Sequence, residues 1–222
     1  MERLSVNSPH GPYPVHIGPG AVTALSDLIR SGGHDAVFVL VDENTRRHCL
    51  PKLPAEVLSR ARVLEIPSGE RHKTLETCQR LWSELLAHRA TRHALLVNLG
   101  GGVIGDLGGW VAASYKRGIA FVQVPTTPLA QVDASIGGKL GIDFEGIKNA
   151  VGTFASPVAV LADPDFFGTL PRRELRAGFA EMLKHALIAA PEQWEILSRL
   201  PDDLGGVDWT AHLRPSLEIK KA

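Results

Sequence analysis

Ala94-Leu95-Leu96-Val97-Asn98-Leu99-Gly100-Gly101-Gly102-Val103-Ile104-Gly105-Asp106 is the stretch on which the architecture turns. Residues 94–99 form an apolar run of strand length, and a helix is expected over 104–114. Glycines crowd the junction. They let a ligand come close to the backbone, and a helix N-terminus offers free N–H groups at the positive end of its dipole. The junction therefore suits a phosphate. The spacing is not the G-x-G-x-x-G of common dinucleotide folds, and a tight strand-to-helix turn without a ligand is the competing reading.

The same alternation extends outward. Strand runs are expected at 13–17, 36–42, 63–66, 120–124 and 158–161. Helical spacing covers 21–30 and 74–88, where Leu75, Cys78, Leu81, Trp82 and Leu85 share a face. Strands alternating with helices predict a Rossmann-like parallel sheet covered by helices, an α/β class. From Pro171 onward strand signals stop, and 173–189, 191–200 and 208–222 look helical. The expected organisation is an α/β unit over 1–170 and the beginning of an all-α unit over 171–222. The closing Glu218-Ile219-Lys220-Lys221-Ala222 has no stop signal, so the second unit is expected to be incomplete. Val207, Trp209, Leu213, Leu217 and Ile219 are expected to show exposed apolar faces.

Composition narrows the function classes. The chain is 44% hydrophobic and 22% charged, with 24 basic and 24 acidic residues. Zero net charge argues against a global nucleic-acid binder. Cys49 and Cys78 lack metal-knuckle spacing and are too few for a disulfide framework. The N-terminus lacks a basic segment followed by an apolar one, and the longest apolar run, 36–41, is far short of the ~20 residues a membrane span needs. A cytoplasmic protein is expected.

Several side chains could carry chemistry. Asp42 ends a buried strand, where an acid accepts bonds from a ribose or caps the next helix. Ser68-Gly69-Glu70-Arg71-His72-Lys73-Thr74 lies between a strand and a helix and suits either a ligand edge or a solvated loop. Thr126 and Thr127 follow a strand, at the sheet edge where open α/β folds bind ligands. Asp133, Lys139, Lys148 and Asn149 lie among glycines, a pattern suited to a phosphorylated or carboxylated small molecule. Glu181, Lys184 and His185 share one side of a helix, either as an ion pair or as part of a metal site.

Taken together, these segments resemble the 3-dehydroquinate synthase family. The matching pieces are Asp42-Glu43-Asn44, Ser68-Gly69-Glu70 with Lys73, the glycine-rich turn through Asp106, and Ala113-Ser114-Tyr115-Lys116-Arg117-Gly118. They continue through Gln123 to Thr127, Gln131 to Lys139, Lys148-Asn149, Thr169 to Leu175 and Gly178 to Lys184. The resemblance implies that Asp42, Asn44, Glu70, Lys73, Gly101, Gly102, Val103, Asp106, Thr126, Thr127, Lys148, Thr169 and Glu174 line NAD. It implies that Arg117, Asp133, Lys139, Asn149 and Lys184 hold 3-deoxy-D-arabino-heptulosonate 7-phosphate, and that Glu181 ligates Zn²⁺ or Co²⁺. The implied reaction is a lyase step of the shikimate pathway, in aromatic amino acid biosynthesis: oxidation by NAD, loss of phosphate, re-reduction, ring opening and aldol closure. A homodimer is implied, with no nucleic acid or membrane partner.

Two departures accompany the resemblance. Leu140, Phe144, Glu145 and Gly146-Ile147 stand where many relatives carry a Thr after the Lys and a His-Pro pair before the second Lys. The paired histidine ligands of the family's later helical segment are absent; His212 is the one histidine after His185, in a different context. The expectation is a chain that binds metal poorly and lacks turnover. The rival readings are a glycerol-dehydrogenase-type enzyme, a related sugar-phosphate cyclase, and a nucleotide-binding module without catalysis.

Overall fold

A computed structural model describes residues 1–9, 11–204 and 206–221. Nine strands and eight α-helices are found among the described residues. In chain order the first are β1 (Glu2–Val6), β2 (Tyr13–Ile17), α1 (Ala24–Ser31), β3 (Val37–Asp42), α2 (Glu43–His48), α3 (Ala55–Arg60), β4 (Ala61–Ile66) and α4 (Leu75–Ala87). They are followed by β5 (Leu95–Gly100), α5 (Gly102–Ser114), β6 (Ala120–Pro125), β7 (Lys139–Phe144), β8 (Ile147–Phe154) and β9 (Ala159–Ala162). The chain then runs only through helices: α6 (Arg172–Ala189), α7 (Pro191–Leu197) and α8 (Trp209–Lys221).

Seven strands form one sheet in the order β1-β2-β9-β6-β5-β3-β4, parallel except for the β1–β2 pair. This is the Rossmann-like parallel architecture expected from the sequence. The apolar runs are continuous because both sheet faces are covered. Along β3, Val37, Val39 and Val41 enter the core on one face, while Phe38 and Leu40 enter the core on the other. The chain passes from β3 to β4 on one side and returns to β5 on the other. The strand order therefore reverses between β3 and β5, and a crevice opens at their carboxyl ends.

Local signals explain the helix starts. Asp42 caps α2, accepting from the Thr45 N–H at 2.7 Å, and Thr74 caps α4. Pro191 occupies the first turn of α7, where its missing N–H costs nothing. α5 is apolar nearly all round because it lies between the sheet and β7. Gly108 permits the close approach to the sheet: a Cβ there would overlap the Asn98 side chain and Leu40.

The structure also departs from the sequence expectation. β1 and the β7–β8 hairpin occupy stretches without a strand signal, and the hairpin forms a separate two-stranded sheet. The helix after Gly101 begins two residues earlier than its apolar spacing suggested. The expected exposed face of α8 is overturned. Trp209, Leu213 and Leu217 are buried in the core, Val207 packs against it, and Ile219 is half-buried. α8 docks on α6 and on β2, and Trp209 meets Phe167 edge-on with ring centroids 5.6 Å apart.

Candidate functional site

The carboxyl ends of β3, β5 and β6 deliver Asp42, Gly101 and Thr126 to one cavity of about 750 Å³. It lies at the crevice where the strand order reverses. Gly101 precedes the first turn of α5 and provides no side-chain cap, so the N-terminal N–H groups of this helix face the cavity without an internal substitute for a ligand. Asn44, Glu70, Lys73, Gly102, Val103, Asp106, Thr127, Lys148, Thr169 and Glu174 line the same cavity. All thirteen residues singled out in the sequence for the nucleotide thus meet in one place. The two readings of Asp42 prove compatible. One carboxylate oxygen caps α2, and the residue still lines the cavity.

The floor of this cavity is an ordered polar network. Lys73 is 3% exposed, and its Nζ donates to Asp106 Oδ2 at 2.6 Å and to Asn149 Oδ1 at 2.5 Å. Burial pushes the Asp106 carboxyl up; the Lys73 ammonium pulls it back only in part. The Asn149 N–H donates to Asp143 Oδ1 at 2.9 Å, and Asp143 N–H to the Lys73 carbonyl, so the hairpin is tied to this lysine twice. Glu43 accepts from both the N–H and the hydroxyl of Ser68, which fixes the loop before Glu70. Its own backbone N–H and these Ser68 bonds hold the Glu43 carboxyl below the usual carboxylate range. Lys148 sits 3.4 Å from Glu70.

A second cavity of about 480 Å³ adjoins the first, sharing Asp106, Asp133, Ala134 and Asn149. Lys139, Thr153 and Lys220 complete its polar wall. Asp133 reaches it from a π-helical turn, Ala130–Ala134, an irregularity often found at functional sites. Lys220 of α8 pairs with Asp133. Sequence reasoning missed Lys220, because nothing in a surface-like Lys-Lys pair announces a partner so far back in the chain.

The remaining candidates are less closely gathered. Arg117 is exposed in the turn after α5 and lines neither cavity. On α6, Glu181 pairs with Lys184, and His185 Nε2 lies 3.2 Å from Glu181 Oε1. His185 Nδ1 contacts Ser216 Oγ of α8 at 2.6 Å. Burial pushes the His185 imidazole down, opposed by the Glu181 carboxylate. Among the described residues no three His, Cys, Asp or Glu side chains come together as metal donors. Glu181 and His185 by themselves therefore do not fit a catalytic metal, which takes three protein ligands.

The fold and the cavity at its strand-order reversal define a Rossmann-like α/β class. 2-Deoxy-scyllo-inosose synthase, complexed with carbaglucose-6-phosphate, NAD⁺ and Co²⁺, has this fold: TM-score 0.80, 22% identity, covering 99% of this chain and 64% of that one. 2-Epi-5-epi-valiolone synthase from Streptomyces hygroscopicus subsp. jinggangensis, with NAD⁺ and Zn²⁺ bound, gives TM-score 0.76 at 28% identity, covering 93% of this chain and 59% of that one. The family model for 3-dehydroquinate synthase N-terminal matches residues 63–177. The 3-dehydroquinate synthase of Bordetella pertussis is 46% identical over 200 residues, 88% of this chain and 55% of the relative. The chain belongs to the 3-dehydroquinate synthase family, and it spans about half the length of the curated relatives it matches. No helix among the described residues is long and apolar enough to cross a membrane.

Proposed function

We propose that this chain is the nucleotide-binding part of an enzyme that converts 3-deoxy-D-arabino-heptulosonate 7-phosphate to 3-dehydroquinate with release of phosphate. One observation carries the reading: the thirteen candidate nucleotide residues line a single cavity at the uncapped N-terminus of α5. The higher identity to 3-dehydroquinate synthases than to the cyclases with inosose or valiolone products favours this substrate over theirs.

NAD, when bound, supplies a reversible hydride acceptor. The uncapped N–H groups of α5 would hold its pyrophosphate, and Asp42 would accept from a ribose hydroxyl. Lys73 keeps Asp106 and Asn149 in place between the two cavities. Lys139 and Lys220 bind the anionic groups of the substrate, and Asn149 orients it by hydrogen bonding. Arg117 and Lys184 stay in the proposal as further anion contacts on the strength of the resemblance. Glu181 stays as a ligand of Zn²⁺ or Co²⁺ on the same ground. The described residues do not hold such an ion by themselves. The division near residue 170, a cytoplasmic location and a homodimer complete the proposal.

Calorimetric titration with NAD tests the first half. Saturable binding that is lost in Gly102→Asp is expected, and absence of binding removes the reading. Phosphate release from the seven-carbon substrate, assayed with NAD and Zn²⁺ or Co²⁺, tests the second. NAD binding without phosphate release would leave a nucleotide-binding module.

A further inference from the structure

Tyr13 is a strand residue in the sequence, yet its hydroxyl meets the turn that joins Ile136 to Lys139, two residues that line the second cavity. It lies on β2, is 3% exposed, and accepts a hydrogen bond from the Gly137 N–H at 3.0 Å. Gly137 and Gly138 form a turn with φ of 93° and 66°, a left-handed conformation that glycine adopts readily. A Cβ on Gly138 would lie 2.6 Å from the Ala155 carbonyl, so this backbone is packed tightly against the end of the hairpin. The Ala155 N–H in turn donates to the Gly138 carbonyl at 3.0 Å. Lys139 follows directly and lines the cavity, and Asp133 lies just before. The turn thus sets where the lysine ammonium can reach relative to the Asp133 carboxylate.

We propose that Tyr13 is a positioning residue: its hydroxyl holds the Gly137 N–H and so fixes Lys139 for contact with a phosphate or carboxylate in the second cavity. This rests on the reading of that cavity as the anion site. Burial raises the Tyr13 phenol, opposed by the Gly137 N–H, so at neutral pH the hydroxyl stays protonated and still accepts through a lone pair. The phenol ring is packed in the core, whereas the hydroxyl has a backbone partner in the turn two residues before Lys139.

The test is a double-mutant cycle on the 222-residue chain with NAD present and inorganic phosphate as the probe. Tyr13→Phe keeps the ring and removes the acceptor. Lys139→Ala should weaken phosphate binding about tenfold, the scale of a lost charge-assisted bond. Tyr13→Phe should weaken it about three- to tenfold with Lys139 present and not at all in the Lys139→Ala background. Hydrogen exchange at the Gly137 amide, protected in the parent, should accelerate in Tyr13→Phe. If Tyr13→Phe lowers the melting temperature but leaves phosphate affinity intact, or weakens binding equally in both backgrounds, the hydroxyl is structural and the inference is overturned. If Lys139→Ala has no effect, the anion-site reading itself falls, and the role of Tyr13 falls with it.

Discussion

Asp42, Gly101 and Thr126 take their places from the sheet, whereas Asp133, Lys139 and Lys220 take theirs from a π-helical turn, a hairpin strand and the last helix. In the first cavity the paired register of β3, β5 and β6 sets the spacing, and those strands are buried on both faces. In the second, a few polar pins hold together segments distant in the chain: Lys73 on Asp106 and Asn149, Lys220 on Asp133, Tyr13 on Gly137. A site built on strand ends inherits the stability of the core. A site built from pins is only as fixed as each pin. Substitutions should therefore separate the two.

The largest effect is expected where both cavities share a pin. Lys73→Ala leaves the half-buried Asp106 carboxylate without its partner and should cost about 3 kcal/mol of stability in chemical denaturation. A loss below about 1 kcal/mol would mean that water replaces the ammonium and that the pin is weak. Next comes the sheet-built side. Gly108→Ala drives a methyl group into Asn98 and Leu40 and should cost about 2 kcal/mol. Asn98→Ala in the same chain should recover part of it, because the Asn98 side chain is buried with no partner for either polar atom. Failure to recover would place the crowding at Leu40 instead.

A smaller and more selective effect should follow from Lys220→Ala. Phosphate affinity should fall about tenfold while NAD affinity stays constant. Equal losses in both would show that the cavities behave as one. The mildest prediction concerns Cys49, which lines the first cavity and whose thiol burial pushes up to about 11. At pH 8 only about one molecule in a thousand carries the thiolate, so alkylation should be slow, faster at higher pH, and slower again with NAD bound. Cys78, pushed up to about 12 and outside the cavity, should react no faster and ignore NAD. Rapid alkylation of Cys49 at neutral pH would mean that the cavity wall opens.

The same contrast governs what could be read from the chain. A doubly covered parallel strand needs an unbroken apolar run, so β3 and β5 are plain in the sequence, and the glycines after β5 mark the turn that opens onto the first cavity. The β7–β8 hairpin escaped notice because β8 is exposed along its whole length and has no buried face to impose alternation. β1 hides for a similar reason, with only Leu4 and Val6 buried. The apolar stripe of α8 was visible, but the surface receiving it was not, since β2 and α6 are brought there only by the complete sheet. Lys220 and Tyr13 carry no local pattern at all. Their roles exist only in three dimensions.

The parallel pairing of β2 with β9, Val15 beside Val160, has a consequence in time. During synthesis the β1–β2 hairpin leaves the ribosome early, yet its inner neighbour is the last strand of the sheet to be made. Until then Val15 and Ile17, both buried in the finished molecule, have no sheet to join. Within this sheet β2 thus waits longest for its inner partner, with Val15 and Ile17 unsheltered until β9 is made.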